Sequence, residues 1–101
     1  MKRIVFTFLV GIFLFSFPCW GANLEKGLTA ARLGDFATAL REFTPLAREG
    51  NAEAQTYLGA LHASGQGVPR DYKEAVRLFR LAAEQGNAAA QNALAVMHAS
   101  A

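Results

Sequence analysis

The sequence predicts an all-α protein: a short solenoid of antiparallel helix pairs, about five helices following an N-terminal export segment. Three observations lead there. The chain repeats itself with a period of 36 residues. Within each copy, apolar residues recur at steps of three and four, the spacing of one helix face. Glycines, capping residues and a proline punctuate the copies, and no stretch reads as a strand.

The repeat is plainest in two stretches. "GNAEAQTYLGALHASG", Gly50 to Gly65, returns as "GNAAAQNALAVMHASA", Gly86 to Ala101, with nine of sixteen positions identical. Upstream, "DFATALREFTPLAREG", Asp35 to Gly50, lies over "DYKEAVRLFRLAAEQG", Asp71 to Gly86. A unit that recurs at this length buries one side of itself poorly and completes its core by stacking on the next.

The first element is not part of the solenoid. Met1-Lys2-Arg3 precedes the uncharged run Ile4 to Phe17, and "PCWGA" follows. A basic start, an apolar run and small residues at the end describe a secretory signal peptide, residues 1–21, cut after Gly21. The fourteen-residue run is shorter than the roughly 20 residues that span a bilayer. Extending it through Trp20 gives the alternative, an uncleaved membrane anchor. The domain is then 22–101, in units of 23–50 and 51–86 with a half unit at 87–101.

Helices are expected over 23–33, 35–49, 51–64, 71–85 and 87–99. The fourth carries the clearest signal. Tyr72, Ala75, Val76, Phe79, Ala82 and Ala83 form one apolar face, with Asp71 as N-cap and Gly86 past the end. Leu78 and Leu81 fall off that stripe, as in a helix with two neighbours. The third places Ala54, Leu58, Leu61 and His62 on one face, with Asn51 as its cap. "SGQGVPRD", Ser64 to Asp71, is a loop: Gly65 and Gly67 permit turns and Pro69 cannot sit inside a helix. Pro45 lies within the second helix, where the loss of a bond to Arg41 predicts a kink. Gly59 and the alanines allow close helix approach, and Phe43 and Phe79 fill the gaps.

Charge narrows the function. The chain has ten basic and eight acidic residues, but Lys2 and Arg3 leave with the signal, so residues 22–101 balance at eight of each. The basicity belongs to the export signal and argues against nucleic acid. The single cysteine, Cys19, also lies in that segment. The mature chain therefore has no disulfide and no thiol chemistry.

The polar residues support structure better than catalysis. His62 and His98 are repeat-equivalent, so they should point the same way at similar depth. Neither has a second ligand nearby, and zinc wants three or four. No metal and no cofactor are expected. Asp35 and Asp71 are explained as caps. No nucleophile, base and orienting group can be assembled, so no enzyme is expected. "GQGV" lacks the following lysine of a phosphate loop. Arg70, Lys73, Arg77 and Arg80 share one side of the fourth helix, diluted by Glu74 and Glu84. A solvated outer face is favoured there over contact with an acidic partner.

The segment "A-x-A-Q-x-x-L-G-x-L-H-A-S-G-Q-G-V-P-R-D-Y-x-x-A-V-x-L-F-x-x-A-A-x-Q-G-N", Ala52 to Asn87, resembles the Sel-one-like repeat, a 36-residue relative of the tetratricopeptide repeat. Leu58, Gly59, Gly65, Gly67, Asp71, Tyr72, Ala75, Phe79 and Gly86 fall at that family's spacing. His62 stands where the family usually has Tyr, and Phe79 where it often has Trp. Lys26 to Ala47 is more similar to a tetratricopeptide helix pair, its loop four residues shorter than the later one. In the last copy Ala95 replaces the family glycine.

The resemblance implies a right-handed superhelix whose first helices line a concave, protein-binding side. Those positions are Leu24, Leu28, Ala31 and Arg32, then Glu53, Thr56, Ala60 and Ala63, then Ala89, Asn92, Val96 and Ala99. The candidate partner-binding set among them is Arg32, Glu53, Thr56, Ala60, Ala63, Asn92 and Val96. The expected partner is another protein or peptide segment, with self-association through the terminal helix as the second reading. The half unit reads either as a cap or as the remnant of a longer array. The expected role is an exported interaction module or adaptor of a bacterial envelope, periplasmic or secreted. The alternative is a structural accessory module anchored in the inner membrane.

Overall fold

The computed structural model describes residues 23–100, so the expected signal peptide, its cleavage site and the anchor alternative lie outside the described residues. Five helices follow one another: α1 Leu24–Arg32, α2 Phe36–Arg48, α3 Ala52–Ser64, α4 Tyr72–Glu84 and α5 Ala88–Ser100. Each boundary lies within one residue of its expectation, and there is no strand among the described residues. Each helix packs on the next in sequence. Short connections return the chain, giving the antiparallel pairs of a helical repeat.

One kind of start serves every helix. Asn23, Asp35, Asn51, Asp71 and Asn87 each accept a hydrogen bond from the backbone N–H three residues on, at 2.8–3.2 Å. Such a side chain satisfies an otherwise orphaned donor of the first turn. Ends are equally uniform. After α1, α2 and α4 a glycine takes a left-handed conformation, φ +85° at Gly34, +97° at Gly50 and +93° at Gly86. The next N–H then returns to a helix carbonyl, Asp35 to Ala30, Asn51 to Leu46 and Asn87 to Ala82.

Pro45 does not interrupt its helix. α2 is continuous to Arg48, and the Glu49 N–H donates to the Pro45 carbonyl at 3.1 Å. Pro45 sits in the last turn, so the helix loses the bond to the Arg41 carbonyl without ending there.

Two rings set the helix spacing. Phe43 lies against Gly27, where an added Cβ would come 2.7 Å from the ring. Phe79 lies against Gly59 in the same way, at 2.9 Å. Each glycine lets the second helix of a pair, α2 or α4, press an aromatic ring onto the backbone of the first. Phe43 is fully buried and Phe79 is 4% exposed.

The core divides into two adjoining clusters. Ala39, Phe43, Ala54, Leu58 and Leu61 belong to the first, and Ala75, Phe79, Ala82 and Ala90 to the second. Leu78 of α4 joins the first cluster although its neighbours Ala75 and Phe79 build the second. The two apolar faces read on α4 thus meet two different neighbours. Leu81 and Tyr72 depart from that reading. Leu81 is 37% exposed, and Tyr72, placed on the apolar face, is 54% exposed beneath the Arg70 guanidinium. At the first position of α4, the Arg70 guanidinium, 4.9 Å from the ring centroid, lies over the tyrosine ring.

Polar ties repeat with the same period. The buried Gln55 donates from Nε2 to the Ala47 carbonyl at 3.1 Å, and Gln91 donates to Ala83 at 3.3 Å. The first clamps α3 to the end of α2, and the second clamps α5 to the end of α4. Gln85 adds a cross-unit link, its Nε2 reaching the Gly50 carbonyl at 2.9 Å and Gln55 Oε1 at 3.1 Å. Glu42 is buried at the start of the fold. It accepts from the Asn23 N–H at 2.8 Å and faces Lys26 Nζ at 3.7 Å.

Phe79→Ala should cost about 3–5 kcal/mol, the usual loss for a buried phenylalanine, and abolish the cooperative melt of a domain this small. Gly59→Ala should cost about 1–3 kcal/mol through overpacking against the same ring. Thermal and urea unfolding followed by circular dichroism checks both, and a Phe79→Ala chain with wild-type cooperativity would contradict this packing.

Candidate binding groove

Three helices frame a cleft of about 580 Å³. α3 supplies Ala60, Ala63 and Ser64, and α5 supplies Ala93, Val96, Met97 and His98. The floor comes from α4, with Tyr72, Val76 and Phe79. Small residues on α3 and α5 keep the walls low, and the floor is aromatic and aliphatic. The lining is overwhelmingly apolar, with polar atoms from Ser64, His98 and Tyr72 among it. Val96 is 66% exposed at its edge. A concave apolar surface with few polar groups is the usual form of a binding site.

The expected binding residues separate on this geometry. Ala60, Ala63 and Val96 line the cleft. Arg32, Glu53 and Asn92 are exposed but are not part of its wall. Thr56 is half-buried, and its hydroxyl donates back to the Ala52 carbonyl at 2.9 Å. Leu24, Leu28 and Ala31 are half-buried and pack against the first core cluster. Ala89 and Ala99 are exposed. The first helices alone do not make this cleft: α4 contributes its floor through Val76 beside Tyr72 and Phe79. Phe36 and Leu40, one period upstream of Tyr72 and Val76, are the signal that could have found it.

The two histidines differ in depth, against the expectation of equivalence. His62 is half-buried, with Nδ1 fully enclosed and unpaired among the described residues. His98 is exposed at the cleft edge. α4 packs over α3, whereas among the described residues no helix covers α5 in the same manner. No three His, Cys, Asp or Glu side chains among the described residues are grouped to hold a metal ion.

On the opposite side, a second cleft of about 630 Å³ lies between α2, α3 and α4, with Arg48, His62, Glu74 and Arg77 in its wall. Its charges are partly spent on one another. Arg77 grips Glu74 with two bonds, Nε to Oε1 at 3.0 Å and Nη2 to Oε2 at 2.6 Å. That pairing holds the Glu74 carboxyl below its ordinary value, and raises Arg77. Asp35 is likewise held low, first by the Thr38 hydroxyl and then by the Thr38 N–H. Of the four cations read along α4, Arg77 is paired and Arg70 rests 4.9 Å over the Tyr72 ring. This fits the solvated outer face better than an anion site.

A depressed carboxyl contributes stability above its ordinary value, here 4.5, and loses it as pH falls through the lower folded value. The partly exposed Glu74–Arg77 pair should contribute under about 1 kcal/mol at neutral pH. Melting curves of wild type and Glu74→Gln should therefore differ slightly at pH 7 and converge in acid. Arg77→Ala should change neutral-pH stability by no more than about 1 kcal/mol.

None of the curated proteins or solved structures gave a match to the chain. Among protein families, residues 52–87 match the Sel1 repeat. The match spans α3, the glycine loop, α4 and the turn before α5, which are the elements that build most of the cleft. Such repeats generally mediate protein–protein interaction, and over residues 52–87 this chain is similar to one of them, within an all-α helical-repeat fold.

Proposed function

We propose that the protein is an exported helical-repeat interaction module that binds another protein through the cleft between α3 and α5. One observation carries this reading: the apolar cleft lies at the junction of the Sel1-like unit and α5, with Val76 and Phe79 in its floor and Val96 exposed at its edge. Apolar surface arranged as a concavity, on a repeat of an interaction family, suits an extended or helical peptide segment better than a small charged metabolite. No catalytic constellation enters the proposal.

The same reading places the protein in the periplasm or outside a bacterial cell, delivered by residues 1–21 and released by cleavage after Gly21. Its support is the sequence of that segment: two basic residues, an apolar run and small residues before the cut. Among the described residues no helix is long and apolar enough to cross a membrane. The mass of the purified protein tests the placement. A mature N-terminus at Ala22 agrees with export, and an intact N-terminus turns the reading toward an anchored accessory module.

A diazirine-bearing residue at Val96 should photo-crosslink to a discrete partner in cells, while the same group at Glu53 or Arg32 should not. Equal adducts from all three positions, or none from Val96, would remove the cleft as the binding site.

A further inference from the structure

Two equivalent positions, one period apart, have different surroundings. The Tyr57 ring stacks on Phe43, with centroids 5.4 Å apart and planes inclined by 15°. Phe79 is the counterpart of Phe43, and Ala93 is the counterpart of Tyr57. A methyl group therefore stands where the preceding unit has a phenol ring. The space left by that exchange belongs to the cleft, which both Phe79 and Ala93 line.

In the preceding unit the floor has a second cover. The α3–α4 turn crosses Phe36 and Leu40 so closely that a Cβ on Gly67 would lie 2.8 Å from the Phe36 Cβ and 3.0 Å from the Leu40 Cδ1. Tyr72 and Val76, their counterparts, line the open cleft instead. Among the described residues, the difference between the two units is the ring of Tyr57 against the methyl group of Ala93.

We propose that the cleft receives an aromatic side chain, Tyr or Phe, from a peptide segment of a partner protein, seated beside Ala93 as Tyr57 is seated over Phe43. This rests on the reading of the cleft as a protein-binding site and names the residue that anchors the partner. A flat ring suits the slot because its lining includes the aromatic Phe79 and the thioether of Met97, both of which favour aromatic neighbours. A second copy of the chain fits less well among the described residues. Phe43 and Phe79 are buried, Tyr57 is stacked and Tyr72 lies beneath Arg70, so the most exposed large apolar side chains it could offer are the aliphatic Leu33 and Val96.

The test uses the purified protein and two small probes, p-cresol for the tyrosine side chain and cyclohexanol as an aliphatic of similar size. Methyl NMR titration should show saturable shifts at Ala63, Ala93 and Met97 with p-cresol, with affinity roughly fivefold or more above cyclohexanol. Ala93→Tyr should fill the space in cis, abolish the p-cresol shifts and melt no lower than wild type. Ala93→Leu, which fills the same space without a ring, should also abolish them. Equal affinity for the two probes, shifts that persist in either variant, no saturable shifts at all, or an Ala93→Tyr chain that unfolds would overturn the proposal. A Val96 crosslink to a partner without p-cresol binding would defeat the aromatic anchor alone and leave the groove standing. Loss of both would defeat the groove.

Discussion

The contact of a phenylalanine ring with a glycine backbone is the constraint on which the rest of the fold depends. Helices held at the distance set by ordinary side chains would leave so small a domain little area to bury. Removing the Cβ at Gly27 and Gly59 lets Phe43 and Phe79 press to within 3.0 Å or less of where that carbon would lie. The ring then excludes water from both helices at once. Alanines at 39, 54, 75 and 90, all with no exposed surface, continue the same economy of space. The consequence is a core made of a few large rings set among small residues, instead of many medium side chains interlocking.

Close approach fixes orientation as well as distance. Once the ring is seated, Gln55 and Gln91 reach the carbonyls at the ends of α2 and α4, at 3.1 and 3.3 Å. These bonds join one unit to the next, where the apolar contact is thinnest. Gln85 ties Gly50 and Gln55 together across the same junction. A buried amide is costly without partners, so these glutamines favour one register of stacking over its neighbours. Glu42 performs the corresponding service for the first helix, holding Asn23 and Lys26.

The helices were legible in the sequence because every device that starts or ends them is local. An Asn or Asp bonds three residues ahead, and a left-handed glycine closes the turn, so neither needs tertiary information. The glycine–phenylalanine seats were legible in part: Gly59 and Phe79 fall at family spacing, but that each ring lies on a glycine is decided between helices. What escaped was anything decided between units. Gln55 reads as an ordinary polar residue until its partner at Ala47 is known, and Leu24 and Leu28 read as surface until the first core cluster claims them. His62 and His98 share a sequence context but not a depth, because depth depends on the helix packed outside them. The floor of the cleft escaped for the same reason: Tyr72 and Val76 are core-like in pattern and open in fact.

That openness follows from the repeat itself. Each unit of a stacked array supplies cover for the one before it, through a side chain such as Tyr57 and a turn such as Gly65–Val68. An array can therefore expose an apolar floor without altering the floor, simply by changing what the next unit supplies. Here the floor residues Tyr72, Val76 and Phe79 remain aromatic or aliphatic, while Ala93 stands where a ring would stack on Phe79. On the proposed reading, the exchange of Tyr57 for Ala93 leaves beside Phe79 the place that a ring fills beside Phe43. Stability loses little by the exchange, since Phe79 stays 4% exposed and its glycine seat is unchanged. Specificity, on this argument, resides in what α5 omits, and divergence between copies is where binding in such a protein is written.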